Sequence, residues 1–357
     1  MIRGNPMMEE EEQVTDHWLQ QIRKFSQNAL EKMRESQQQL DDVDLDIQHV
    51  EPRFDDVPSA WVDGGSGFMN LVGGSLYVVR AAAALFKPGE PPKWYENMDA
   101  GFTTLSRNVD RLVGLKRDTL EIECILELLD DEPGFAVLDN GLASYATMGV
   151  PYSIMRYFRE PEPDKNPNYE FFKAYHDFMR RFDTLIRECQ TLDIKLIGAA
   201  KDTRTRLLSK QLGIDTDFND SSTIAMLAGD RTGFTPPVEA RYLEVPRVKA
   251  HLQSESILTD GRGDFLTMFG ILKPHGRVFR LDYLKSQEDY TEEIQRFITS
   301  MHDGNGYLLP SHIVHKKALI PKSLQESLME LMISSIAKED MRAARFVFNE
   351  QRRARFG

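Results

Sequence analysis

The chain has 357 residues, 41% of them hydrophobic, which is enough for a sizeable core and too apolar for global disorder. Its 44 basic and 56 acidic side chains leave a formal net charge of −12, which argues against indiscriminate coating of nucleic acid. No run of about 18 apolar residues offers a membrane span, and Cys124 and Cys189 lie too far apart for a CxxC site or a disulfide framework, as in a reducing cytoplasm.

The polar, then acidic, start from Met1 to Glu12 is unlike a signal peptide. Residues 13–40 are expected to form a helix, with Trp18, Ile22, Phe25, Ala29 and Met33 on one stripe at steps of three and four. Such a stripe suits packing or dimerisation, and it is too apolar to be left exposed on a monomer. Asp41 to Asp56, with Pro52, reads as an acidic linker. The charge is uneven: residues 1–60 hold fourteen acids and six bases, whereas Ala337 to Gly357 hold three acids and six bases. Beyond residue 60 the chain carries a balance of only −4, so its folded body can hold a local basic channel.

From Ser59 the character changes. Ala60-Trp61-Val62 predicts a short buried strand ending in a tight turn at Asp63-Gly64-Gly65-Ser66-Gly67, and Gly74 to Ala84 a second strand. Asp99 to Asp131 reads as mostly helical, with Leu112, Leu115, Ile122, Ile125 and Leu129 apolar. Phe135 to Leu138 is a strand stopped by Asp139-Asn140-Gly141, Tyr169 to Thr191 a helix, and Ile194 to Ala199 a strand before the turn Lys201-Asp202-Thr203-Arg204. Phe265 to Leu272 and Arg277 to Tyr283 form a hairpin, followed by helices over Tyr290 to Met301, Leu324 to Ile336 and Met341 to Phe348. The pattern is that of an α/β protein, a mixed sheet with flanking helices plus helical additions at both ends.

Two strands end in an aspartate followed by glycine-containing turns, at Asp63 and at Asp139. Carboxylates at neighbouring strand ends converge, and hard divalent cations take such oxygens together with substrate phosphate. A third carboxylate is expected from the helix between them, Glu121 on a stripe with apolar residues or Glu123 one helical phase away. Lys201 and Arg204, just after a strand, suit contacts to the phosphate backbone. Arg352, Arg353 and Arg355 are a further basic group. No GxxxxGK[ST] loop is present, which speaks against ATP-driven motor activity in this chain.

Asp63-Gly64-Gly65-Ser66 after a strand, a helical Glu and Leu138-Asp139-Asn140-Gly141 are arranged like an RNase H-like nuclease core. Over about residues 57–320 the chain resembles the NurA family of prokaryotic DNA end-processing nucleases. Further echoes are Ala200-Lys201-Asp202-Thr203-Arg204, Phe279-Arg280-Leu281-Asp282 and the segment from Tyr307 through Pro310 to His315. Two departures are an Asn140 between Asp139 and Gly141, and Val314 where the family usually has Ala before the histidine. The resemblance implies a metal-dependent deoxyribonuclease in which Asp63, Glu121, Asp139 and His315 surround two ions, Mn²⁺ or Mg²⁺, with Tyr307 close to the scissile phosphate. His312 competes with His315. It further implies a homodimer working with a HerA-type hexameric ATPase on DNA, in the cytoplasm and away from membranes. The expected division is an extension and linker over 1–56, a nuclease domain over 57–320 with a hairpin-containing insertion around 206–290, and C-terminal helices with a basic tail over 321–357. The alternatives are a catalytically degenerate nuclease fold serving as an adaptor for the motor, or an actin-like ATPase fold, for which a second phosphate loop is missing.

Overall fold

The computed structural model describes residues 6–40, 43–52, 57–71, 73–146, 150–158, 166–201, 203, 205–214, 216, 218–240 and 246–342. Helix α1 (Pro6–Leu40) precedes three long antiparallel strands, β1 (Ser59–Leu71), β2 (Gly74–Phe86) and β3 (Lys93–Thr103). Helix α2 (Val109–Leu126) leads into β4 (Phe135–Leu138), the short helices α3 (Leu142–Ala146) and α4 (Tyr152–Met155), the long α5 (Pro167–Thr191) and β5 (Lys195–Ala200). Then come α6 (Leu207–Gln211), α7 (Asp220–Ala228), β6 (Gly233–Phe234), β7 (Val238–Ala240) and α8 (Pro246–Ser254). The hairpin β8 (Phe265–Ile271) and β9 (Val278–Leu284) is followed by α9 (Thr291–Ser300), α10 (Leu309–Ala318) and α11 (Lys322–Glu339).

The nine strands among the described residues join one mixed sheet in the order β3-β2-β1-β4-β5-β9-β8-β6, with β7 pairing β8. β1, β4 and β5 are parallel, and β9 runs antiparallel to β5. Period-two alternation sorts the central side chains between two cores. Ala60, Val62, Ala136, Leu138 and Leu196 face α2 and α5, while Trp61, Phe135, Val137 and Ile197 face α9 and α10. Helix α5 is capped by Asn166, whose Oδ1 accepts from the Asn168 amide at 3.0 Å, with Pro167 in its first turn. It buries Phe171, Tyr175, Phe178, Phe182 and Ile186, residues three or four apart.

Several expectations are corrected. β1 does not turn at Asp63; it continues to Leu71, because β2 pairs with it along its whole length. Residues 99–103 are strand rather than helix, since β3 pairs Ser75–Leu85 of β2 through Thr103–Lys93. Pro310 and His315 lie on helix α10, which begins at Leu309, while Tyr307 lies just before it. The α1 stripe is not buried against this chain: Trp18, Ile22, Phe25 and Met33 are all exposed. The described part of the acidic linker is anchored by Leu45, which is buried against Phe269 and Ile271, and by a bridge from Gln48 to Phe234. The expected helix Met341 to Phe348 lies outside the described residues beyond residue 342, as do Arg204, Arg352, Arg353 and Arg355.

Candidate metal centre

The parallel register that pairs Val62 with Leu138 puts Asp63 and Asp139 next to one another, and the Asp139 amide donates to the Val62 carbonyl at 3.2 Å. By alternation both carboxylates emerge on the Trp61 face, under α10. That helix lies close enough to β1 for a Cβ at Gly65 to sit 2.5 Å from the Ala318 carbonyl oxygen. On the opposite face α2 approaches Gly64, where a Cβ would overlap Glu121 Oε1 and the Arg117 side chain. The glycines after Asp63 therefore serve helix packing on two sides of a strand, not a turn.

From α10, His315 Nδ1 donates to Asp63 Oδ2 at 2.7 Å, and the Ser311 hydroxyl donates to Asp139 Oδ1 at 3.0 Å. Lys201, just past β5, donates through Nζ to Asp139 Oδ2 at 2.7 Å. Asp63, Asp139 and His315 each offer a donor atom within 4.8 Å of the others. Two carboxylate oxygens and an imidazole nitrogen suit Mn²⁺ better than Mg²⁺, whose ligands are mainly oxygen.

Glu121 comes from the other helical layer and lines the same cleft, of about 570 Å³, with Asp63, Asp139, Tyr307, His312 and His315. Arg117, one turn earlier on α2, lies 3.2 Å from Glu121 Oε1 through Nε and holds the buried Asp118 at 2.5 Å. The Tyr145 hydroxyl donates to Glu121 Oε2 at 2.9 Å, its ring fixed edge-on by Phe178 and Phe182 of α5. Burial pushes the Glu121 carboxyl up to about 8, with Asp118 and Asp63 adding to the rise and Arg117 and Tyr145 opposing it. Burial, then the charge of Asp63, pushes Asp139 up to about 6 against the pull of Lys201 and Ser311. Carboxylates crowded against their own charge are the setting that a bound cation relieves.

Glu123 points elsewhere: Arg181 pairs with it at 2.9 Å and Asn97 donates to it at 3.3 Å. His312 lines the cleft without joining the three-residue cluster. Tyr307 is 45% exposed at the cleft wall, its ring 5.9 Å from the Arg277 guanidinium. Asp303 shapes its loop by accepting the amides of Asn305 and Tyr307. Asp282 and Arg280 of the hairpin are a buried ion pair at 2.6 Å; Asp282 also accepts the Ala143 amide, bracing the turn after Asp139.

Sequence reasoning missed Ser311, Arg117, Tyr145 and Arg277. Ser311 and Arg117 stand four residues before His315 and Glu121, a helical spacing that was there to be read. Tyr145 carries no local signal, because α5 alone directs its ring.

The strand order β3-β2-β1-β4-β5, with two aspartates at adjacent strand ends and an acid from the first crossing helix, defines an RNase H-like core. The family model of the NurA domain matches residues 60–320, and the chain belongs to the NurA family. Its fold is similar to that of the NurA nuclease from Sulfolobus solfataricus, with a TM-score of 0.68 and 16% identity over 95% of this chain and 98% of that one. It is also similar to a NurA structure with manganese, at a TM-score of 0.58 and 12% identity over 88% of this chain and 98% of that one. A further NurA structure gives a TM-score of 0.56 and 14% identity over 88% and 97% of the two chains. No curated protein matches the chain.

Proposed function

We propose that the protein is a divalent-metal-dependent deoxyribonuclease that hydrolyses phosphodiester bonds during DNA end processing. One observation carries this reading: donor atoms of Asp63, Asp139 and His315 lie within 4.8 Å of one another in a cleft shared with Glu121. Membership of the NurA family and the fold likeness to a NurA nuclease support it. Asp63, Asp139, His315 and Glu121 would hold two ions, Mn²⁺ in preference to Mg²⁺. Bound there, the metal would activate a water and take up charge on the leaving oxygen in an in-line displacement. Around it the chain's own groups orient the substrate. Lys201 and Arg204 bind backbone phosphate, Tyr307 lies beside the scissile phosphate, and His315 holds Asp63 in place.

The nuclease unit spans 57–320, with the extension over 1–56 and the C-terminal part over 321–357 serving assembly. The chain acts as a homodimer in the cytoplasm and depends on a HerA-type hexameric ATPase for translocation. The exposed α1 stripe beside an acidic segment supports a docking role, and no helix of the described residues is long and apolar enough to cross a membrane. The test uses end-labelled single- and double-stranded DNA with Mn²⁺, Mg²⁺ or EDTA, with and without the ATPase. Asp63→Asn and Asp139→Asn should each lose orders of magnitude in rate while staying folded. Cleavage that persists in EDTA, or full activity of Asp63→Asn with Mn²⁺, would refute the proposal.

A further inference from the structure

The side chain of Ser311 is almost wholly buried, and its hydroxyl reaches 172 residues back along the chain to Asp139. It is the third residue of α10, inside the helix and past the cap position Leu308, which makes no side-chain cap bond. The hydroxyl is committed to Asp139 Oδ1, while Lys201 takes Oδ2. A carboxylate has about four lone-pair sites, so two such bonds fix its plane and leave acceptor capacity on both oxygens. One turn further along α10, His315 makes the matching bond to Asp63. A helical step of four residues rises about 6 Å, close to the roughly 4.8 Å between adjacent strands. A single helix thus holds the two aspartates that β1 and β4 present.

We infer that Ser311 is a positioning residue that sets the orientation of Asp139, so that the spacing of the Asp63–Asp139 pair is gauged by α10. This inference rests on the metal-dependent reading above. An outer hydrogen bond to a metal-binding carboxylate is characteristically worth about tenfold or more in metal affinity. Only the hydroxyl is invoked, so a threonine should serve where an alanine does not.

The experiment is a calorimetric titration of Mn²⁺ into the full-length wild type, Ser311→Ala and Ser311→Thr, with thermal melting of each and steady-state cleavage of end-labelled DNA over a range of Mn²⁺. The expected result is that Ser311→Ala stays folded, raises the Mn²⁺ Kd by about tenfold and lowers kcat at limiting metal without changing KM for DNA. Ser311→Thr should restore the wild-type Mn²⁺ affinity. A folded Ser311→Ala with wild-type Mn²⁺ affinity overturns the inference, whatever its melting temperature. Equal loss in both variants, each folded, does the same, because the hydroxyl is then not the cause. A wild type that binds no Mn²⁺ overturns the metal reading itself, and this inference with it.

Discussion

Gly65 offers a way to disturb the centre without touching any group in it. It lies two residues beyond Asp63 on the same face of β1, directly beneath the end of α10. An added Cβ would stand 2.5 Å from the Ala318 carbonyl oxygen and 3.3 Å from both its carbon and the Ile320 amide nitrogen. These are backbone atoms and cannot rotate aside. Restoring ordinary van der Waals distance needs the end of α10 to retreat by roughly 1 Å. Gly65 sits in paired strand, so alanine is not strained by the backbone itself, and the effect isolates the steric push. Overpacking of this kind costs about 1–3 kcal/mol of stability, which for a chain of this size lowers Tm by only several degrees. The cost to activity should be far greater, because His315 is one turn from Ala318 and a 1 Å misplacement can lose about 10²-fold in rate. Gly67 provides the control on the same strand and face. The three atoms nearest a Cβ there all belong to the amide end of the flexible Gln325 side chain, which can swing away. The assay is Mn²⁺-dependent cleavage at saturating DNA, beside thermal melting, for Gly65→Ala and Gly67→Ala. Gly65→Ala should remain folded and lose about 100-fold in kcat, while Gly67→Ala keeps nearly all of it. A folded Gly65→Ala with wild-type kcat would show that the seat of α10 on β1 does not set the site.

Two further outcomes are expected. Because burial raises the Glu121 carboxyl to about 8 and Asp139 to about 6, the folded chain retains protons that the unfolded chain has released. Metal-free stability from these groups therefore falls as pH rises from the ordinary carboxylate range towards 8, and Mn²⁺, which needs them ionised, should raise Tm more at pH 8 than at pH 5. A Tm gain that shrinks with rising pH contradicts this. In the second, His315→Ala should abolish most cleavage, His312→Ala should leave it largely intact, and Tyr307→Phe should give a smaller loss. The reverse order for the two histidines would move the ligand role to His312.

Much of this protein could be read in its one-dimensional pattern. The alternation Trp61-Val62-Asp63 and Val137-Leu138-Asp139 already states that each aspartate shares a face with the large apolar residue two before it. The period of α5 states its buried side, and Glu121, on a stripe with Cys124 and Ile125, states that an acid enters the core. These are local properties, fixed by the 2.0 and 3.6 residue repeats of strand and helix. Other features depended on partners distant in sequence. The DGGSG run looks like a turn because glycine is permissive, yet it is the middle of a 13-residue strand, since pairing with β2 outweighs local preference. The strand β3 carries polar and charged residues at an exposed edge, so its apolar alternation is too weak to announce it.

The sequence by itself determined which side chains have the chemistry to bind a cation and which face of its own element each occupies. Only the tertiary structure decided which of them meet. The parallel register of β1 with β4 sets Asp63 beside Asp139, and the approach of α2 to Gly64 brings Glu121 to the cleft and leaves Glu123 with Arg181. The seat of α10 over Gly65 delivers Ser311 and His315 across more than 170 residues of chain. Such contacts are set by close packing between elements, whose partners no local repeat encodes.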